Sequence, residues 1–235
     1  MKTIGLIGGL SWESTADYYK YLNTFVKEKL GGLHSAKCLL HSFDFEEIVT
    51  LQKNAEWDKA TNCMTDAAQK LENGGADVIL ICTNTMHKMA EEVEASVQIP
   101  LIHIADATAK KIKQQGLKTV GLLGTKFTME QNFYKERLNA HGIEVVIPNE
   151  DDRQTIHNVI FDELCKGMIK ESSKAAYLQI MSKLQEKGAE GIILGCTEIP
   201  LLIKQADSDI PLFDTTCIHA EAAVEFALQE EKVQV

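Results

Sequence analysis

The sequence is poor in proline, aromatic residues and basic clusters, and it has no long apolar run. Its 235 residues include 4 Pro, 15 Gly and 6% aromatic residues, which excludes a collagen-like repeat. A hydrophobic fraction of 45% excludes intrinsic disorder, which requires few apolar residues. No apolar stretch approaches the roughly 18 residues that span a bilayer. We therefore expect one large or two small globular domains.

The charge balance argues against nucleic-acid and membrane partners. Lys and Arg number 24 against 34 Asp and Glu, a formal net charge of −10, and no Lys/Arg block occurs. Proteins that bind phosphate backbones usually carry a basic face. A small anionic substrate is still compatible with this charge, because a few buried donors outweigh a distant, screened net charge.

Cysteine usage is typical of a reducing compartment. The six cysteines form no CxxC pair and show no zinc-ligand spacing, which predicts reduced and mostly inert core thiols. The first residues, MKTIGLIGGLSW, indicate a first strand rather than a secretory signal. The expected location is the cytoplasm.

Short apolar runs alternate with helical patterns along the whole chain. Uninterrupted apolar strands separated by helices predict parallel sheets covered on both faces, an α/β fold. Helices are predicted over Glu13–Leu30, Trp57–Leu71 and Thr216–Leu228, and a capping box over Thr128–Gln131. The predicted strands are Ile4–Ile7, Val78–Cys82, Leu101–Ile104, Val120–Leu123, Val145–Ile147, Ile192–Leu194 and Leu212–Phe213.

The two halves of the chain resemble each other. Three segments recur in the same order at offsets of 116, 113 and 111 residues: Lys2–Gly8 as Lys118–Gly124, Gly75–Thr85 as Gly188–Glu198, and Ile99–Leu101 as Ile210–Leu212. We therefore predict two similar Rossmann-like lobes related by a pseudo-twofold axis. Lobe one comprises residues 1–98 with 212–235 packing back on it, and lobe two comprises residues 99–211.

Thr83 and Cys196 are equivalent positions in this repeat, each just past an apolar strand. Ligands of parallel sheets bind beyond the carboxyl ends of the strands, so we expect the two residues to face each other across a cleft. Two proton-transfer groups on opposite sides of a carbon are what racemisation requires. Helix N-termini at Thr83–Thr85 and Cys196–Glu198 are expected to favour a thiolate and to bind a carboxylate.

Four motifs carry a resemblance to a known family: Gly8–Thr15, Cys82–His87, His103–Thr108 and Gly195–Glu198. Over essentially its whole length the sequence resembles the aspartate/glutamate racemase superfamily. Within it, the sequence most resembles the enterobacterial aspartate/glutamate or broad-specificity amino-acid racemases. The resemblance implies an amino-acid substrate, racemisation without a cofactor or metal ion, and a homodimer.

The resemblance fails at one of the two positions that matter most. The family's usual pair is two cysteines, and Cys196 matches the second, but Thr83 stands where the first is expected. Cys82 cannot simply substitute for it, because neighbours on an extended chain point in opposite directions. A hydroxyl is a far weaker base than a thiolate, so we expect a slow or direction-biased enzyme in which Cys196 is the competent base.

Further residues are candidates for holding the substrate. By resemblance, Gln52 and Lys166 are expected near its side chain, although Gln52 also fits a solvated polar residue and Lys166 an exposed helix end. His87 could orient its turn or transfer a proton. The full set of predicted substrate-binding residues is Leu10, Gln52, Asn84, Thr85, Lys166, Thr197 and Glu198.

Glu198 has two possible roles at the sequence level: it could tune Cys196, or it could cap the following helix. Three functions also remain open. The first is a racemase. The second is a one-cysteine isomerase or decarboxylase of small diacids, for which protonation from one side is enough. The third is a two-lobed amino-acid-binding protein without turnover.

Overall fold

The computed structural model describes residues 1–229 and has an α/β fold with two parallel sheets, which confirms the predicted fold class. Contacts divide the chain into two compact units. The first unit contains Met1–Cys82, Met89–His103 and residues 219–229. The second contains Thr83–Lys88 and Ile104–Ile218. The pseudo-twofold axis and the cleft stay predictions.

The first unit is built on a three-stranded sheet of order β2-β1-β3. An isolated parallel bridge joins Ile79 to Leu101 beside it. The elements are β1 Ile4–Gly8, α1 Trp12–Leu30, β2 Cys38–Ser42, α2 Phe45–Lys53, α3 Trp57–Asn73, β3 Val78–Ile81 and α4 Ala90–Ala95.

The second unit is built on a four-stranded sheet of order β5-β4-β6-β7. A 3₁₀ turn covers Thr85–Met89. The elements are α5 Ile104–Gln114, β4 Thr119–Gly124, α6 Lys126–Glu130, α7 Asn132–Ala140, β5 Glu144–Val146, α8 Glu150–Asp162, α9 Glu171–Glu186, β6 Ile192–Gly195, α10 Ile199–Leu202 and β7 Leu212–Asp214. The last helix, α11 Thr215–Leu228, begins in this unit and belongs to the first unit from His219. None of the helices within residues 1–229 has the length and apolarity needed to cross a bilayer.

The central strands are apolar throughout because helices cover both of their faces. Every residue of β1 and β3 is buried. In the first unit, the apolar face of α1 packs in one core cluster with the small residues of α11 from Ala220 onward. Alanines at this contact allow the helix backbone to approach the sheet closely.

The strand register repeats between the two units. Gly5 pairs with Ile79 in the first sheet, and the equivalent Gly121 pairs with Ile192 in the second. A Cβ on either glycine would lie 2.9 Å or less from a neighbouring side-chain carbon, so each position requires glycine for close packing. The sequence repeat is therefore also a repeat of strand pairing.

A carboxylate accepts a hydrogen bond from a backbone amide at the start of each repeat. In the first unit, Asp77 Oδ2 accepts a hydrogen bond from the Thr3 amide at 2.6 Å. In the second unit, Glu190 Oε2 accepts one from the Thr119 amide at 2.9 Å. Asp77 and Glu190 match at the 113-residue offset, so the two halves share side-chain contacts as well as topology.

Some predicted elements differ from the structure. The edge strand β2 was not predicted, because it is only half buried and lacks a continuous apolar run. The predicted strand at Leu101–Ile104 is reduced to one bridge, since Ile104 already begins α5. The cap of α6 is Thr125 rather than the predicted Thr128, whose amide donates to the Thr125 hydroxyl at 3.3 Å.

The division of the chain also differs from the predicted lobe boundaries. Residues 83–88 fall in the second unit rather than lobe one. Residues 212–218 also fall in the second unit, because β7 pairs with β6. Residues 219–229 contribute to the first unit, where α11 packs. Residues 230–235 of the predicted range lie outside the described residues.

Candidate active site

Three strands of the second unit end side by side. Strands β4, β6 and β7 are parallel neighbours, so their carboxyl ends share one edge of the sheet, where ligands of such sheets bind. The residues that follow them directly are Thr125, Cys196 and Thr215. Their exposures are 6%, 8% and 0%, so polar groups with almost no access to water line this edge.

The segment that follows β3 is bound to the same edge. Asn84 Nδ2 donates to Thr215 Oγ1 at 3.0 Å, and the hydroxyls of Thr85 and Thr125 are 3.1 Å apart. These two bonds explain why residues 83–88 belong to the second unit although the strand before them belongs to the first.

Hydrogen bonding fixes which way the Asn84 amide points. The Thr215 hydroxyl donates to the Leu194 carbonyl at 3.0 Å, so it accepts from Asn84 and faces the NH₂ group. Asn84 Oδ1 and Thr216 Oγ1 are buried and have no hydrogen-bond partner in the described chain. Leaving such atoms unpaired is costly, so this region is suited to a polar ligand.

Three threonine hydroxyls form a small cluster at the end of β4. Thr85, Thr125 and Thr128 have mutual Oγ1 distances of 3.1, 3.3 and 3.4 Å, and all three are buried. Of the buried threonines at this edge, Thr85 is predicted from the sequence, whereas Thr125, Thr128 and Thr215 are not. The available signal was that Thr125 and Thr215 each lie two residues past the end of a predicted strand.

Cys196 is hydrogen-bonded to an acidic side chain. Its Sγ donates to Glu198 Oε2 at 2.9 Å, and the Thr197 hydroxyl donates to the same oxygen at 2.9 Å. Burial raises the pKa of the Cys196 thiol well above its usual range, and the negative charge of Glu198 raises it further. The thiol is therefore protonated at neutral pH in the unliganded protein.

This state differs from the thiolate expected from sequence. Helix α10 has four residues and gives little dipole, whereas the carboxylate lies in direct contact with the sulfur. The Glu198 side chain makes no capping hydrogen bond to α10. Of the two roles considered for Glu198, the contacts support the tuning of Cys196.

Thr83 is half-buried, and its carbonyl oxygen accepts a hydrogen bond from His87. Its hydroxyl has no partner among residues 1–229, so it does not cap the following turn.

Cys82 is fully buried in the core cluster of the first unit, and burial raises the pKa of its thiol strongly. Its amide donates to Ile7 O at 2.9 Å as part of the first sheet. Because the thiol is buried and protonated, Cys82 is an inert core residue.

The remaining predicted site residues lie in different surroundings. Leu10 and Gln52 belong to the first unit and are buried, with exposures of 3% and 7%, so Gln52 is not a solvated polar residue. Lys166 belongs to the second unit; its side chain is 59% exposed and lies 3.7 Å from Asp162, a weak surface ion pair.

Within residues 1–229, no three His, Cys, Asp or Glu side chains are grouped to hold a metal ion. Independence of cofactors stays a prediction.

Comparison with known proteins identifies the class to which this fold and site belong. The model of the family described as Asp/Glu/Hydantoin racemase matches residues 7–223. The chain is 28% identical over 167 residues to the broad specificity amino-acid racemase RacX of Bacillus subtilis (strain 168), covering 71% of this chain and 72% of that protein. This chain belongs to the Asp/Glu/hydantoin racemase family, which confirms the resemblance seen in the sequence.

Solved structures agree with this assignment. The crystal structure of a candidate Asp/Glu racemase from Yersinia pestis is 54% identical, has a TM-score of 0.92 and covers 97% of this chain and 100% of its own. The aspartate racemase homologue from Pyrococcus horikoshii OT3 is 37% identical, with a TM-score of 0.86 and the same coverage.

Proposed function

We propose that this chain is a cofactor-independent racemase that interconverts the L and D forms of aspartate, glutamate or a broader set of amino acids. Membership of the racemase family supports an isomerase. The observation that carries the proposal is the Cys196–Glu198 pair, with 2.9 Å between Sγ and Oε2, at the carboxyl edge of a parallel sheet. A buried thiol beside a proton acceptor is a suitable acid–base group for an α-carbon.

In this proposal the reaction begins at the thiol. Glu198 takes the proton from Cys196, and the thiolate then removes the α-proton of the substrate. The transfer needs no side-chain rearrangement, because the hydrogen bond between the two groups already exists. The unpaired Asn84 Oδ1 is suited to the α-amino group, while the threonine hydroxyls around Thr85 are suited to the α-carboxylate.

Thr83 returns a proton on the opposite face in this scheme. Its hydroxyl is a poor base, so we assign it the donation or relay of a proton that water replaces. The α-proton stays on Cys196, Glu198 releases the proton it took from the thiol to solvent, and the product carries a hydrogen from solvent. Because mirror-image amino acids have equal free energies in water, a bias between directions must show in kcat and KM separately.

The test is a chiral assay over the common L- and D-amino acids without added cofactor, combined with α-proton exchange in deuterated water. We expect inversion and exchange for at least one substrate, and loss of both in Cys196→Ala. Cys63→Ser is the matched control, since Cys63 is a half-buried thiol on α3 in the first unit. Neither exchange nor inversion with any amino acid would refute the proposal.

The substitution at Thr83 favours one alternative, a one-cysteine isomerase or decarboxylase of small diacids. Release of CO₂ or a cis–trans change from a diacid, without inversion of any amino acid, would establish it. A binding protein without turnover would bind an amino acid and leave its α-proton unexchanged.

We further propose that Leu10, Gln52 and Lys166 contact the substrate and that the protein acts as a cytoplasmic homodimer. The family resemblance supports these assignments. In the described structure all six cysteines are free thiols, which fits a reducing compartment. Light scattering coupled to size exclusion tests the dimer, and KM values of Gln52→Ala and Lys166→Ala test the contacts.

A further inference from the structure

His87 is buried, with an exposure of 2%, and both of its ring nitrogens meet backbone groups of the second unit. Nδ1 lies 2.7 Å from the carbonyl oxygen of Thr83, and Nε2 lies 3.2 Å from the amide nitrogen of Ile104. A carbonyl can only accept and an amide N–H can only donate. His87 is therefore neutral and carries its hydrogen on Nδ1.

This bonding decides between the two roles considered for His87. While both bonds are intact, neither nitrogen can take up or release a proton at the substrate, because Nδ1–H donates to Thr83 and the Nε2 lone pair accepts from Ile104. Proton transfer by His87 would require breaking one of these contacts. The geometry assigns the residue a holding role.

The two bonds connect a loop to a rigid element. Ile104 is the first residue of α5, where amides lack an intrahelical acceptor, and His87 Nε2 supplies one. The His87 amide also donates to Asn84 O at 3.2 Å, which closes the turn. Residues 83–87 are thereby attached to a helix whose apolar face, including Ile104 and Ile112, lies in the core of the second unit.

Three successive residues of this turn are held by separate bonds. The Asn84 side chain is bound to Thr215 and the Thr85 side chain to Thr125. The side chain of Thr83 makes no such bond: the residue is held through its carbonyl, and its hydroxyl is without a partner in the described chain. His87 is the residue that fixes Thr83 without engaging the hydroxyl.

We propose that His87 is a positioning residue that fixes the backbone of Thr83 against α5 and thereby places the Thr83 hydroxyl for proton delivery. This inference rests on the proposed racemase function. It predicts that His87 affects the inversion step, which needs Thr83, more than the exchange step at Cys196. Displacement of a reacting group by about 1 Å can reduce a rate roughly 100-fold.

Two substitutions at His87 separate its two bonds. In His87→Asn the side-chain amide lies near the position of Nδ1 and can still donate to the Thr83 carbonyl. In His87→Gln the amide oxygen reaches toward the position of Nε2 and can still accept from Ile104, but the bond to Thr83 is lost. Thermal unfolding of both variants controls for folding.

We expect His87→Gln to lose inversion by about tenfold to 100-fold while α-proton exchange of the enantiomer that faces Cys196 is retained. His87→Asn should retain most of both activities. Equal loss of inversion in the two variants, or a parallel fall of exchange and inversion in His87→Gln, would overturn the proposal and leave a purely structural role.

A second measurement does not depend on turnover. NMR should show the Nδ1–H tautomer of His87 in the wild-type protein, and the methyl resonance of Thr83 should shift in His87→Gln but not in His87→Asn. The reverse pattern, or no shift in either variant, would refute the positioning role. If the wild-type protein neither exchanges nor inverts any amino acid, the proposed function fails, and the NMR result still decides the role of His87.

Discussion

Replacement of Glu198 by Gln tests how the structure controls its thiol. The change keeps the side-chain size and removes a negative charge 2.9 Å from Cys196 Sγ. At an effective dielectric constant of about 20, two unit negative charges at this distance repel by about 6 kcal/mol. Burial remains in the variant and still raises the pKa of the thiol. Removing the charge therefore stabilises the thiolate by only part of this repulsion energy.

The expected result is opposite changes in two measurements. At pH 7, Cys196 in Glu198→Gln should react with iodoacetamide at least about tenfold faster than in the wild-type protein, because more thiolate is present. Racemisation should nevertheless become slower, because the amide cannot take the proton that the carboxylate takes. Peptide mass spectrometry assigns the alkylated cysteine, and a Cys196→Ser background confirms it.

Glu190→Gln is the matched control for this prediction. Glu190 accepts hydrogen bonds from the amides of Lys118 and Thr119 at the start of β4. Its replacement by Gln should leave the rate of Cys196 alkylation unchanged. If a folded Glu198→Gln variant were alkylated at the wild-type rate or more slowly, the carboxylate would not be what holds the proton on the thiol.

Three further changes test separate parts of the structure. Cys196→Ser should lower turnover by about 100- to 10,000-fold, the usual contribution of a general acid–base group, measured by chiral chromatography. Burial lowers the pKa of His219 to about 3, so the unfolded chain binds one more proton between that value and about 6.5. The free energy of unfolding should therefore fall by about 1.4 kcal/mol per pH unit as the pH drops below about 6.5, and urea titrations of His219→Gln should show a smaller slope. Thr215→Val leaves a buried carbonyl and a buried amide unpaired, which should cost about 1–3 kcal/mol in urea unfolding and raise KM.

Each of these expectations has a contrary result. Wild-type turnover in Cys196→Ser would remove the thiol from the mechanism. An unchanged pH slope in His219→Gln would mean that other groups dominate acid unfolding. Wild-type stability in Thr215→Val would show that water replaces the lost hydroxyl.

The alternation of strands and helices could be predicted from sequence, and so could the correspondence between the two halves of the chain, because burial constrains both. Strands covered on two faces must be continuously apolar, as Ile4–Ile7 and Val78–Ile81 are. Glycine at positions 5 and 121 is required by close packing, so it appears at the same place in both halves. A repeat that preserves these features also preserves the strand register.

Other features could not be predicted because they depend on contacts distant in sequence. The edge strand β2 carries no apolar run, since part of it faces solvent. The threonines near position 125 offer two equivalent capping patterns, and only the course of the chain selects Thr125 over Thr128. That residues 83–88 join the second unit depends on the hydrogen bonds of Thr85 to Thr125 and of Asn84 to Thr215, which are 40 and 131 residues away along the chain.

The asymmetry between the two halves leads to the last prediction. Thr83 corresponds to Cys196 in the repeat, and Thr85 corresponds to Glu198, so one half has neither the thiol nor its carboxylate acceptor. The Thr85 hydroxyl is moreover hydrogen-bonded to the Thr125 hydroxyl.

Because of this asymmetry, the wild-type protein should exchange the α-proton of one enantiomer much faster than that of the other. Thr83→Cys should accelerate the slower exchange, because a thiol is a better acid and base than a hydroxyl, but not to equality, since Thr85 stands in the place that Glu198 has beside Cys196. Initial exchange rates of separate L and D samples in deuterated water measure this. Equal exchange of both enantiomers by the wild-type protein would contradict the asymmetric assignment.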